Sequence, residues 1–155
     1  PFVIRCPRGK GEMKDWRNEM QVLPIGKGKK LCDGDDIAVL SIGPIGNEVI
    51  KAIEMVKEEG VSIAHYDMIY LKPLDEELLH EIGQKYNRII TVENGVIKGG
   101  FGSAVLEFMA DNGYTPHVKR IGVPDAFIEH GSIPELYQLC GMDAESIAKQ
   151  LKKEN

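Results

Sequence analysis

Long apolar runs are missing from this 155-residue chain. No stretch approaches the roughly 20 residues that cross a bilayer, and no basic-then-apolar leader marks it for export. Cysteine is scarce: Cys6, Cys32 and Cys140 are odd in number and far apart, with no C-x-x-C among them. The four histidines are scattered, so no zinc motif forms, and free thiols in a reducing cytoplasm are expected. There is no internal repeat and no low-complexity tract. The two commonest nucleotide fingerprints, G-x-G-x-x-G and G-x-x-x-x-G-K-[ST], are absent as well.

What is present has globular composition. At 43% hydrophobic and 28% charged the chain is no disordered tail, and its length suits one compact domain rather than two. The net charge of −5 is unevenly spread. Residues 1–22 hold five Lys/Arg against three Asp/Glu, and the remainder holds 14 against 21. An acidic body argues against nucleic acid or an anionic membrane as partner. The chain begins at Pro1 without an initiator Met and runs into Phe2-Val3-Ile4, so it reads as a piece of a longer protein.

From Ile37 onward the pattern alternates between strand and helix. Ile37–Ile42 (IAVLSI) is a short apolar run suited to a strand buried on both faces. After the Gly43–Gly46 turn, Val49, Ile50, Ile53 and Val56 share one helical face that Gly60 ends. Val61–Tyr66 predicts a second strand and Pro73 a break. Asp75, Glu76 and Glu77 then start a helix that buries Leu78, Leu79 and Ile82. Arg88–Glu93 predicts a third strand, before a glycine-rich loop and a helix with Val105, Phe108 and Met109 that Gly113 stops. His117–Ile121 predicts a fourth. Ser132 and Glu135 have capping-box spacing for a helix ended by Gly141, and Asp143 caps a last helix with Ile147 and Leu151. Strands joined by such helices imply a parallel sheet covered on both faces, an α/β three-layer sandwich. Val22–Leu31 is an added strand weakened by Gly26 and Gly28, placed at an edge or antiparallel. Residues 9–21 read as a linker.

In such a sheet ligands sit beyond the carboxyl ends of the strands. Three loops leave those ends: Gly43–Gly46, Asp67–Asp75 and Glu93–Ser103. In the third, Lys98-Gly99-Gly100-Phe101-Gly102-Ser103 opens a helix, where backbone N–H groups can cradle a phosphate. Close packing of that helix start against a neighbouring loop or subunit is the favoured reading. Glu93, ending a buried strand, faces the same region. It is either a functional carboxylate or, as favoured here, one satisfied by loop N–H groups or by a partner subunit. Asp67 and Lys72 are candidates for a structural ion pair, and His130 for a surface or capping residue without an accompanying nucleophile. In Arg5-Cys6-Pro7-Arg8-Gly9 the arginines at i and i+3 point to opposite sides of an extended segment. One then packs inward while the other reaches a ligand, arginine being suited to bidentate phosphate binding. Two solvated arginines in a tail are an equal alternative. Composition and spacing leave no complete catalytic set.

Seven motifs in order add a family resemblance: Arg5-Cys-Pro-Arg-Gly9, Leu23-Pro-Ile-Gly-Lys-Gly28, Asp67-Met-Ile-Tyr-Leu-Lys-Pro-Leu-Asp-Glu76, Thr91-Val-Glu-Asn94, Gly99-Gly-Phe-Gly-Ser103, Gly122-Val-Pro-Asp125 and Phe127-Ile-Glu-His-Gly131. Along essentially its whole length the chain resembles the C-terminal part of the 1-deoxy-D-xylulose-5-phosphate synthases, thiamine-diphosphate transferases of the transketolase family. The resemblance implies a mostly parallel five-stranded sheet with one antiparallel strand. Residues 1–21 become the end of a preceding pyrimidine-binding domain plus linker, and 22–155 the transketolase-type C-terminal domain. It implies condensation of pyruvate with glyceraldehyde 3-phosphate with loss of CO2, feeding isoprenoid, thiamine and pyridoxal synthesis in the cytoplasm. The family's Gly-Asp-Gly and Asn-Asn cofactor motif is absent here. Thiamine diphosphate and Mg²⁺ are therefore expected on other domains, with no cofactor, metal or catalytic residue in this chain and no activity of its own. Arg8 matches the family arginine that binds the aldehyde's phosphate, and Arg5 is structural. Glu93, Gly99, Gly100 and Gly102 lie toward a homodimer interface. Cys6 in place of the usual tyrosine and the charged Lys10-Gly11-Glu12 depart from the pattern. Two rivals remain: the C-terminal part of a 2-oxoacid dehydrogenase β subunit, and a stand-alone module holding a small anion at Gly99–Ser103.

Overall fold

The computed structural model describes Val3 and residues 21–152. Each strand is a run whose alternate side chains serve two different cores. In β2 (Ile37–Ile42), Ile37 and Val39 turn to one face, and Ala38 and Leu40 to the other. That explains the unbroken apolar run, because a central parallel strand has no solvated side. β3 (Ile63–Asp67) and β4 (Arg88–Val96) flank it with parallel pairing. β5 (His117–Val123) lies parallel to β4 at one edge, and β1 (Lys29–Cys32) antiparallel to β3 at the other. The order is β1-β3-β2-β4-β5.

The first face is covered by α1 (Gly46–Val56) and α5 (Ala144–Leu151), with Tyr137, Cys140 and Met142 around the end of α4 (Ile133–Leu139) packed on the same core. The second is covered by α2 (Glu76–Lys85) and α3 (Phe101–Asp111), whose Leu79, Ile82, Phe101, Val105 and Met109 bury against Leu40, Tyr66 and Ile89. The three-layer sandwich and its single antiparallel strand are both present. The helices after the adjacent strands β2 and β4 thus leave to opposite faces. This is the strand-order reversal at which open α/β sheets form their ligand crevice.

Local chemistry sets the boundaries. Asp75 caps α2 by accepting the Leu78 N–H, and Asp143 caps α5 by accepting that of Ser146. The Ser132/Glu135 capping box forms at the start of α4. Gly60, Gly113 and Gly141 take positive φ where their helices end.

Several expectations shift. The added strand is not Val22–Leu31 but the four residues Lys29–Cys32, because the chain turns at Gly26. Its exposed lysines suit an edge that must not recruit another strand. The second strand begins at Ile63 rather than Val61, and the third continues past Glu93 to Val96. Ile50 is exposed instead of sharing the buried face of α1, where Ala52 takes its place, and Leu78 is only half-buried. Residues 9–20 of the expected linker lie outside the described residues.

The β1–β2 turn shows how tightly this edge is fixed. The carbonyl of Gly34 accepts the Tyr86 hydroxyl at 2.7 Å, and a Cβ at Gly34 would stand 2.1 Å from the carbonyl carbon of Ile63. Backbone cannot yield as a side chain can. Gly34→Ala is expected to lower stability by about 2–3 kcal/mol, read as a fall in urea midpoint. A loss below about 0.5 kcal/mol, the range of neutral surface changes, would contradict this packing.

Candidate functional site

The carboxyl ends of β2 and β4 meet where ligands are expected, and the protein's own side chains fill the space. Glu93 pairs with Ile42 of β2, after which the β4–β5 register jumps between Val92 and Val96, so Glu93–Gly95 arch out of the ladder. The Glu93 side chain is buried and turns to the start of α3. One carboxylate oxygen accepts the Phe101 N–H at 2.8 Å, and the other accepts that of Gly102 at 2.8 Å. These are two of the four amides that a helix start leaves unanswered, and the helix dipole favours negative charge there.

Glycine makes the approach possible. A Cβ on Gly100 would fall 2.2 Å from Glu93 Oε2, one on Gly95 would stand 3.0 Å from the same oxygen, and one on Gly122 3.0 Å from Glu93 Cγ. Gly102 lies over Thr91, whose buried hydroxyl has no partner and would sit 2.5 Å from an added Cβ. Gly99 has φ 71° and donates its N–H to Ser103 Oγ. Ser103 Oγ donates in turn to the Ile97 carbonyl, and Arg120 donates to both that carbonyl and Ser103. The glycine-rich segment is therefore a packed joint. Its phosphate-like position holds a carboxylate of the same chain.

A second polar pair lies on the neighbouring strands. Ser41 Oγ and His65 Nε2 are 2.8 Å apart, each only 1% exposed, and Gly46 closes over them. Burial depresses the His65 imidazole to a pKa of about 4. The ring is therefore neutral at pH 7. Sequence reasoning passed over this pair, because only the β2–β3 register brings the two residues together. A histidine inside the apolar strand IAHYD was the available signal.

Asp67 forms no ion pair with Lys72 and instead accepts the N–H of Ile69, which holds a left-handed φ of 56°. Asp75 joins three elements. It caps α2, accepts the Gly28 N–H at 2.9 Å, and pairs with Lys27, which also meets Glu77. Burial alone would raise the Asp75 pKa, but the Gly28 and Leu78 amides and Lys27 together hold it below the usual carboxylate value. His130 is exposed. Among the described residues no three His, Cys, Asp or Glu side chains gather where a metal ion would sit. Arg5, Cys6 and Arg8 lie outside the described residues.

The family model for the transketolase C-terminal domain matches residues 26–147. The chain is 98% identical over 155 residues to 1-deoxy-D-xylulose-5-phosphate synthase of Parabacteroides distasonis, covering all of this chain and 24% of that protein. It is 61% identical to the protein of the same name from Bacteroides thetaiotaomicron, covering 99% of this chain and 24% of that one. The chain thus spans about a quarter of the length of these relatives. Among solved structures it resembles a split-gene transketolase, an inactive β4 tetramer, at TM-score 0.76 and 32% identity, covering 83% of this chain and 42% of that one. A transketolase from Campylobacter jejuni shares the fold at TM-score 0.60 and 13% identity, covering 81% of this chain and 18% of that one.

Two outcomes follow from this geometry. Glu93→Ala leaves two helix-start donors without their charged acceptor and is expected to cost about 2–4 kcal/mol, with Glu93→Gln retaining part of it. An urea midpoint unchanged in Glu93→Ala would contradict the joint. For His65, the unfolded imidazole takes up a proton near its ordinary 6.5, whereas the folded one waits until about 4. Stability is complete above pH 6.5 and falls as pH drops through 6.5 toward 4, by on the order of 2–3 kcal/mol. Urea unfolding at pH 7 and 4.5 checks this, and His65→Gln should flatten the difference. An equal slope in the variant would assign the effect elsewhere.

Proposed function

This chain belongs to the transketolase C-terminal domain family, and on that premise we propose that it is the C-terminal domain of a 1-deoxy-D-xylulose-5-phosphate synthase. In this reading the intact protein condenses pyruvate with glyceraldehyde 3-phosphate with loss of CO2. The product serves isoprenoid, thiamine and pyridoxal synthesis in the cytoplasm. The observation that carries the proposal is 98% identity along the whole chain to a protein of that name. Among the described residues no helix is long and apolar enough to cross a membrane.

Thiamine diphosphate and its Mg²⁺ find no fit on the described residues. The glycine-rich helix start, which a diphosphate would need, already binds Glu93, and no acidic or histidine cluster stands ready for a cation. We place the cofactor on the remaining polypeptide. Residues 1–21 are read as the end of the preceding pyrimidine-binding domain and the linker, with 22–155 the C-terminal domain. The chain's contribution to substrate is then Arg8, whose guanidinium binds the phosphate of the aldehyde, with Arg5 structural. Its other contribution is contact within a homodimer, near Glu93, Gly99, Gly100 and Gly102.

The full-length protein carrying Arg8→Ala tests this reading. Loss of a charge-assisted phosphate contact is expected to raise KM for glyceraldehyde 3-phosphate about ten- to hundredfold while KM for pyruvate stays near that of the parent. Residues 1–155 alone, given both substrates, thiamine diphosphate and Mg²⁺, should show no turnover. An unchanged KM for the aldehyde would remove Arg8 from the site. Turnover by the isolated chain would contradict the division of labour.

A further inference from the structure

Glycine follows an aspartate or asparagine at three places, Asp33-Gly34, Asn94-Gly95 and Asn112-Gly113. Such pairs share a reaction. With no side chain to obstruct it, the glycine nitrogen can close on the side-chain carbonyl of its predecessor and form a cyclic imide.

The structure separates the three. At Asp33 a hydrogen bond and ion pair with Lys30 at 2.8 Å hold the carboxyl pKa below its usual value. The group is therefore ionised, and an ionised carboxylate resists attack. Gly34 is fixed as well, its carbonyl held by Tyr86 and its Cα wedged against the backbone of Ile63. At the end of α3, the Asn112 carboxamide donates to the Phe108 carbonyl at 2.9 Å. The Gly113 N–H, the nucleophile of that pair, donates to the Ala110 carbonyl at 3.1 Å.

Asn94 is placed differently. It is exposed, and its side chain makes no hydrogen bond among the described residues. The β2 ladder stops at Glu93, and the pairing with β5 jumps from Val92 to Val96. The backbone of Asn94 and Gly95 can thus turn toward the imide geometry without breaking a paired rung. The position also gives the reaction a consequence. Asn94 directly follows Glu93, whose carboxylate holds the Phe101 and Gly102 amides, and a Cβ on Gly95 would stand 3.0 Å from Glu93 Oε2.

We propose that Asn94-Gly95 is a deamidation site and that its conversion loosens the Glu93 joint. The Gly95 nitrogen gives its proton to solvent and bonds to Asn94 Cγ. The Cγ–Nδ2 bond breaks and ammonia leaves, with nothing oxidised or reduced. Water then adds to one imide carbonyl. Opening at Cγ leaves aspartate at position 94. Opening at the backbone carbonyl leaves isoaspartate, whose main chain runs through Cβ and Cγ. Either product sets a second negative charge beside Glu93, where like charge opposes its ionised form. Isoaspartate also lengthens the main chain by one carbon between Glu93 and Gly95, shifting the carboxylate from the two amides.

Ageing the full-length protein in mildly alkaline water enriched in heavy oxygen tests this, with Asn94→Gln as the control. Peptide mapping by mass spectrometry should show residue 94 losing ammonia and gaining the label. The rate should exceed that at Asn112 by about tenfold or more, because Asn112 and Gly113 must first release two hydrogen bonds. Protein isoaspartate methyltransferase should label the peptide that holds residue 94. In the aged parent the Phe101 and Gly102 amides should exchange faster than in aged Asn94→Gln, whose longer side chain closes the ring slowly. Conversion at residue 94 no faster than at Asn112 would overturn the proposal. So would conversion that leaves both amides exchanging as they do in Asn94→Gln.

Discussion

A carboxylate buried at the end of a parallel strand constrains everything around it. Glu93 loses water in entering the sheet end, and the Phe101 and Gly102 amides replace it with two short bonds from a helix start. That exchange is favourable only if α3 begins within hydrogen-bond reach of β4. Gly100 therefore has no side chain, and the ladder bulges between Val92 and Val96. The same joint orients α3 over the second core, where Phe101, Val105 and Met109 are buried. A buried charge answered in this way stabilises the joint, whereas the same carboxylate without its donors would be strongly unfavourable.

This interaction also separates the domain from its many α/β relatives in architecture. At a strand-order reversal the helix start is ordinarily free for an anion from outside. Here the anion comes from inside, and the neighbouring strands close over a neutral Ser41–His65 pair. The stand-alone anion-binding alternative loses its donors as a result. The carboxyl end of the sheet is left with apolar side chains and a cleft.

Much of the architecture was legible because burial on both faces writes strands as short β-branched runs, as in Ile37–Ile42 and the first half of β4. The caps at Asp75, Ser132 and Asp143 were legible for a different reason: their chemistry is local in sequence. The departures are places where tertiary context governs. Lys29–Cys32 became the edge strand because the Gly26 turn and Asp75 place it there, which no propensity reveals. β4 runs on past Glu93 because a bulge absorbs Asn94 and Gly95. Ile50 faces outward although its spacing matched the buried stripe, since α1 meets the sheet through Val49, Ala52 and Val56. The glycine-rich loop looked like a phosphate cradle and a packed joint alike, because both need amides without side chains. Only the position of Glu93, eight residues from Phe101, distinguishes them.

Amide hydrogen exchange at residues 99–103 measures the central claim most directly, in the absence and presence of inorganic phosphate. With Glu93 bound at the helix start, the Phe101 and Gly102 amides should exchange slowly without any ligand, and added phosphate should leave their rates unchanged. Fast exchange that slows when phosphate is added would mean an open anion site at the start of α3, contradicting the account.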